Sequence, residues 1–268
     1  MLQFPDIDPI AFSVGPLSVR WYGLAYIAGI GIGWALLHAR ARRPGALFDT
    51  QQVADLVFYA AIGAVLGGRI GYILFYGFAD FLDNPLRIFA VWRGGMSFHG
   101  GVLGWIAGTW WFARGAGVRF LDAADFLVPI VPIGLALGRV ANFVNQELWG
   151  APTTLPWGVT FTAPGAGPLP RHPSQLYEAA LEGLVLFAVL WLMSRRPRPT
   201  GTIAGVFLLL YGVFRSLVEF VREPDAHIGY LAFGWVTMGQ VLSLPMIIAG
   251  LLLLAMARRA PRYAAGTG

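Results

Sequence analysis

Gly138-Arg139-Val140-Ala141-Asn142-Phe143-Val144-Asn145-Gln146-Glu147-Leu148-Trp149-Gly150 follows directly on the apolar run from Phe126 to Leu137. It sets Arg139, Asn142, Asn145, Gln146 and Glu147 at a depth where a bilayer tolerates few such groups, and polar residues there are costly and usually functional. On a helix, Arg139, Asn142 and Gln146 recur at i, i+3 and i+7 and share one face. The juxtaposition predicts a membrane helix that ends in a polar site.

Composition agrees. At 57% hydrophobic and 12% charged, with mean hydropathy +0.63, the 268 residues are far more apolar than a soluble core requires. The net charge of +5 comes from 19 basic residues, all arginine. They lie mostly beside or within apolar runs, which points to membrane lipids and topology and not to nucleic acid. Cysteine is absent, which excludes disulfides, cysteine-held metals and an enzyme thiolate.

Outward from the opening stretch, the apolar runs predict an all-α integral membrane protein with seven transmembrane helices. Met1 to Ser18 has no basic leader and reads as a short external segment. Spans follow at Val19 to Leu37, Val53 to Tyr76, from the Gly94-Gly95 entrance to Phe112, and from Ala124 into the opening stretch. After an extracytoplasmic loop or small cap at 148–173, rich in Pro, Gly and Thr, come Leu176 to Met193, Ile203 to Val221 and Val236 to Met256. Gly63, Gly67 and Gly71 in the second span, and Gly104 and Gly108 in the third, have the spacing that lets helices approach closely in lipid. Trp92 reads as an interfacial anchor. The whole chain, 1–268, reads as one polytopic domain.

Arginine placement orients it. Arg40, Arg42, Arg43, Arg114, Arg119, Arg195, Arg196, Arg198, Arg258, Arg259 and Arg262 fall on one side, predicting the amino terminus outside and the carboxy terminus in the cytoplasm. Arg20, Arg69, Arg87, Arg93, Arg139, Arg171, Arg215 and Arg222 are left within spans or toward the outer face, with Asp225 at the outer end of the sixth span.

Tyr211, Arg215, Glu219 and Arg222 form a polar stripe on the sixth span. It reads either as an internal charge network that fixes packing or as an anion site, since guanidinium binds phosphate oxygens bidentately and keeps its charge. His99, in Gly94-Gly95-Met96-Ser97-Phe98-His99-Gly100-Gly101, is either a structural group at a span entrance or an imidazole placed to take a proton. Arg69, in Gly67-Gly68-Arg69-Ile70-Gly71-Tyr72, is either a packing charge or a ligand contact. Tyr22, in Trp21-Tyr22-Gly23, starts the first span on the same predicted side as the polar groups.

Together with Arg171-His172-Pro173-Ser174-Gln175-Leu176-Tyr177-Glu178, these motifs resemble, in order and over nearly the whole chain, the bacterial prolipoprotein diacylglyceryl transferases. The resemblance implies a seven-helix enzyme of the bacterial inner membrane, with its active site toward the periplasmic, outer-leaflet side. Such an enzyme transfers the diacylglyceryl group of phosphatidylglycerol to the lipobox cysteine of a preprolipoprotein, forming a thioether and releasing glycerol phosphate. It implies His99, Arg139 and Arg215 as catalytic residues. It implies Arg139, Asn142, Glu147, Gly150, Tyr22, Tyr211, Glu219 and Arg69 as substrate-binding residues. Gln146 departs from the family's usual Asn-Gly-Glu, at a turn where glycine would matter, and the segment after Gly150 is short for the family.

The chemistry fits those residues. The substrate brings the nucleophile, no cofactor or metal is needed, and no His/Asp/Glu cluster has metal-ligand spacing. The rival readings are a secondary transporter of an anionic amphiphile, which also uses buried arginines and glycine-broken helices, and a non-catalytic phospholipid-binding scaffold.

Overall fold

The apolar runs are helices in the computed structural model, which describes residues 1–5, 7–15, 17–89, 94–224 and 229–258. The expectations for Trp92, Arg93, Asp225, Arg259 and Arg262 fall outside the described residues. Strands β1 (Leu2–Gln3), β2 (Ile10–Val14) and β3 (Leu17–Arg20) lead into helices α1 (Trp21–Ala41), α2 (Thr50–Phe75), α3 (Phe78–Asp83), α4 (Phe98–Gly115), α5 (Phe120–Leu127) and α6 (Val131–Val144). Strand β4 (Val159–Thr160) and helix α7 (Ser174–Glu178) come next. A π-helical segment at Ala179–Val185 joins α7 to α8 (Leu186–Met193), and α9 (Thr202–Glu219) and α10 (Met238–Ala257) complete the order.

Among the described residues, six helical stretches are long and apolar enough to cross a membrane: Trp21–Ala41, Thr50–Phe75, Phe120–Val144, Ser174–Met193, Thr202–Glu219 and Met238–Ala257. A helix, α4, stands where the third span was expected, but His99, Arg114 and its glycines keep it below the apolarity of these six. The first expected span begins later than its hydrophobicity suggests, because Val19 and Arg20 pair with β2 in an antiparallel hairpin.

Contacts divide the described residues into two compact units, one of residues 1–33 with 128–258, the other of Trp34–Leu127. In the latter, α2 and α4 meet backbone to backbone along their glycines. A Cβ on Gly67 would lie 2.7 Å from Gly104 Cα, and one on Gly71 would lie 2.8 Å from Gly100 Cα, both inside any real contact. With little hydrophobic drive between helices in lipid, such close packing holds the pair. Capping sets the ends: Asp49 and Gln52 form a reciprocal capping box on α2, and Ser97 accepts from Gly100 N at 3.2 Å on α4. Arg69 donates to the carbonyls of Ile88 (3.0 Å), Gly94 (2.8 Å) and Gly95 (2.9 Å), which fixes the approach to α4. Gly95 is required twice there, by its φ of +78° and because a Cβ would strike the Tyr72 ring.

In the other unit, β1 pairs in parallel with β4, across most of the chain's length. The pairing folds a small cap over Phe4, Phe143, Phe161 and the partly buried Trp149. Arg171 locks this cap, donating to Ala166 O at 2.6 Å, Gly150 O at 3.2 Å and Glu223 at 2.5 Å.

Candidate functional site

Three segments of the first unit converge through small residues. A Cβ on Gly183 of the π segment would lie 2.9 Å from Ala136 Cα, so this segment sits against α6 one turn before Arg139. On α9, a Cβ on Gly212 would lie 3.0 Å from Ser243 O, which seats that helix on α10. These close approaches bring the long charged side chains of three segments to one place.

Glu178, at the end of α7, is the meeting point. Its carboxylate receives Arg215 Nη1 at 2.6 Å and Arg222 Nη1 at 3.1 Å on one oxygen, and pairs with Arg139 Nε at 3.1 Å on the other, that last contact being an ion pair off hydrogen-bond geometry. Arg215 also pairs with Glu219, whose other oxygen accepts from Thr237 Oγ1, the hydroxyl that caps α10. Glu182, inside the π segment, stands 3.8 Å from Arg139 Nη2. Three arginines thus face three glutamates, with the Glu178 and Glu182 side chains 0% exposed and the arginines 10–19%. Removing one partner from such a cluster leaves a charge with nothing to balance it, at a cost of about 3–5 kcal/mol. π segments are rare and recur at functional sites.

The opening stretch forms a turn beside this cluster in sequence. Helix α6 ends at Val144, so Arg139 and Asn142 are helical, but the expectation that Gln146 shares their face is corrected: Gln146 is left-handed, with φ +51°. A non-glycine residue there costs about 1–2 kcal/mol. Offsetting this, Gln146 Oε1 accepts from Thr162 N (2.7 Å), Thr162 Oγ1 (3.1 Å) and Ala163 N (3.1 Å), each such bond contributing about 0.5–1.5 kcal/mol. Glu147 accepts from Asn142 Nδ2 at 2.6 Å and Asn145 Nδ2 at 3.3 Å, while Gln175 Nε2 donates to the Glu147 carbonyl at 2.6 Å. Gly150 bonds His172 O at 2.9 Å, and a Cβ on it would lie 2.7 Å from that same oxygen. In the cap, Trp157 Nε1 donates to Tyr177 OH at 2.8 Å, and His172 Nδ1 lies 3.2 Å from that hydroxyl. Burial holds His172 below the ordinary histidine range.

Of the expected site residues, Arg139, Arg215, Tyr211 and Glu219 come together, while Asn142, Glu147 and Gly150 build the turn after α6. Tyr22 OH lies 3.3 Å from Tyr26 OH, and Tyr22, Tyr26 and Tyr211 are all within electrostatic reach of Arg139. His99 and Arg69 belong to the other unit. His99 is exposed on the first turn of α4, its ring edge-on to Phe98 at 5.8 Å, and Arg69 is engaged by the carbonyls that precede α4. Sequence reasoning missed Glu178, Glu182 and Thr237 as members of the cluster. Two carboxylates four residues apart in an otherwise apolar span were the available signal.

Comparison with known proteins places this architecture. The profile of the family described as prolipoprotein diacylglyceryl transferase matches residues 9–256. The chain is 59% identical over 254 residues to the phosphatidylglycerol–prolipoprotein diacylglyceryl transferase of Nitratidesulfovibrio vulgaris strain DP4, covering 95% of this chain and 96% of the relative. It is 57% identical over 265 residues to that of Oleidesulfovibrio alaskensis, covering 99% and 98%. Against that of Pseudomonas aeruginosa strain UCBPP-PA14 it is 54% identical over 259 residues, covering 97% of each. The family match spans well over half of the chain and agrees with the motif order: this chain belongs to the prolipoprotein diacylglyceryl transferase family.

Proposed function

We propose that this chain transfers the diacylglyceryl group of phosphatidylglycerol to the lipobox cysteine thiol of a prolipoprotein. One observation carries the chemistry: Arg139 on α6, Arg215 on α9 and Arg222 just beyond α9 direct their guanidinium groups at a single point, the Glu178 carboxylate. Guanidinium groups converging in an apolar setting suit a phosphate head drawn below the membrane surface. The relatives' name supplies the two substrates. It also disfavours the transporter and scaffold readings.

In the reaction, the cysteine sulfur attacks the glycerol carbon esterified to phosphate. The S–C bond forms, the C–O bond breaks, and glycerol phosphate leaves. Charge builds on the departing phosphate, so Arg139 and Arg215 stabilise the transition state more than the diester and thereby lower the barrier. Arg222 adds charge to the same locus. Asn142, Glu147 and Gly150 shape the turn beside Arg139, and Tyr22, Tyr211 and Glu219 line or orient the arginines. His99 takes the thiol proton: an imidazole is a general base suited to that transfer, and the thiolate it leaves is the nucleophile. Arg69 serves that step by fixing the entrance to α4. This reading takes the chain as one polytopic domain of the inner membrane that crosses seven times, with α4 included, the amino terminus and the 148–173 cap periplasmic and the carboxy terminus cytoplasmic. Release of glycerol phosphate from phosphatidylglycerol, dependent on a lipobox peptide in detergent, tests it. Arg139→Ala is expected to lower turnover at least 100-fold, as loss of a group that stabilises transition-state charge does. Near-normal transfer would refute the assignment.

A further inference from the structure

The cluster is balanced before any lipid arrives: Arg139, Arg215 and Arg222 face Glu178, Glu182 and Glu219. A phosphodiester brings one more negative charge into a site whose carboxylates are almost wholly withdrawn from water. Burying an uncompensated charge is expensive, and a group that can change protonation does so instead. The three carboxylates differ in how firmly they are held. Glu178 is gripped by three guanidinium groups, the closest at 2.6 Å. Glu219 is held by Arg215 and Thr237, with Arg222 Nε at 3.9 Å. Glu182 has only Arg139, at 3.8 Å, and among the described residues no protein group donates a hydrogen bond to either of its oxygens, although its side chain is 0% exposed.

Resting on the phosphate-binding reading above, we propose that Glu182 takes up a proton when the phosphodiester of phosphatidylglycerol enters, which keeps the site electrically neutral. The groups facing Glu182 are Arg139 on α6, Glu178 at the end of α7, and Arg215, Arg222 and Tyr211 on α9 or the turn that follows it. Glu219 reaches the same arginines, and Tyr22 and Tyr26 on α1 approach from Arg139's side. The other two carboxylates are tied up by closer partners, so Glu182 is the carboxylate that loses least by neutralisation. Protonated, it also releases Arg139 to the incoming phosphate. The proton comes from bulk water and returns there when glycerol phosphate leaves.

Isothermal titration of the full chain in detergent with short-chain phosphatidylglycerol, in two buffers of different ionisation enthalpy at one pH, counts the protons directly. Uptake is expected to approach one proton per lipid above the pH range in which free Glu182 titrates. Affinity is expected to fall about tenfold per pH unit above the range in which free Glu182 titrates, because binding must then draw its proton from an increasingly dilute supply. Below that range Glu182 already holds the proton, and uptake disappears. Glu182→Gln, the same shape without a titrating carboxyl, is expected to bind the lipid with no uptake and a flat pH dependence. Binding without uptake in the unmodified chain overturns the inference and leaves the phosphate site standing. Uptake that persists in Glu182→Gln assigns the proton elsewhere and overturns it too. Absence of binding in the unmodified chain removes both. The measurement on the unmodified chain decides the issue even if the variant fails to fold.

Discussion

The α2–α4 pair and the α6–α7–α9 cluster solve the same problem, holding helices together where water cannot help, by opposite means. Along α2 and α4 the side chains are withdrawn, and backbone meets backbone at Gly67, Gly71, Gly100 and Gly104. Between α6, the α7–π segment and α9 the longest side chains in the protein converge, and ionic pairs hold what glycine holds elsewhere. Glycine contacts cost little to bury and carry no chemistry. Buried arginines and glutamates are expensive, so their presence marks the place where the protein needs charge.

Swapping the solutions should break the pairing most severely at the glycines. Gly104→Leu sets a branched side chain against the Gly63 and Gly67 backbone, which cannot yield, and is expected to abolish recovery of folded protein by size-exclusion chromatography in detergent. Gly31→Leu, on a face of α1 with open space around it, is the control and should purify normally. The next largest effect is expected at Glu178. Glu178→Ala takes one carboxylate partner from each of Arg139, Arg215 and Arg222, and at a cost of about 3–5 kcal/mol should lower the thermal unfolding midpoint by on the order of 10 °C. Glu178→Gln, which keeps a hydrogen-bond acceptor, should lower it less. The smallest effect belongs to Gln146. Gln146→Gly removes left-handed strain and the three bonds to Thr162 and Ala163 together, so the midpoint should move by only a few degrees while limited proteolysis within 159–166 speeds up.

Much of this contrast was legible in the chain. The apolar runs marked the helices, and four-residue glycine spacing marked the close pair, because both follow from local periodicity. The stripe of Tyr211, Arg215, Glu219 and Arg222 was readable for the same reason. Glu178 and Glu182 were not placed in the cluster, because nothing local says which helix a buried carboxylate will face. The π segment that carries Glu182 leaves no mark in an apolar sequence whose side chains would suit an α-helix equally well. The β1–β4 pairing escaped notice because it joins two-residue strands more than 150 positions apart. Gln146 shows an intermediate case: its departure from the family pattern flagged the turn, but only the structure shows the bonds to Thr162 and Ala163 that offset the strain.

The central claim is that the converging arginines receive the lipid phosphate, and a structure of the chain with phosphatidylglycerol bound tests it most directly. The phosphate is expected within hydrogen-bond distance of both Arg139 and Arg215, with at least one of their present contacts to Glu178 released. A headgroup seated elsewhere, with Arg139 and Arg215 still paired to Glu178 and Glu219 as they are now, would contradict it.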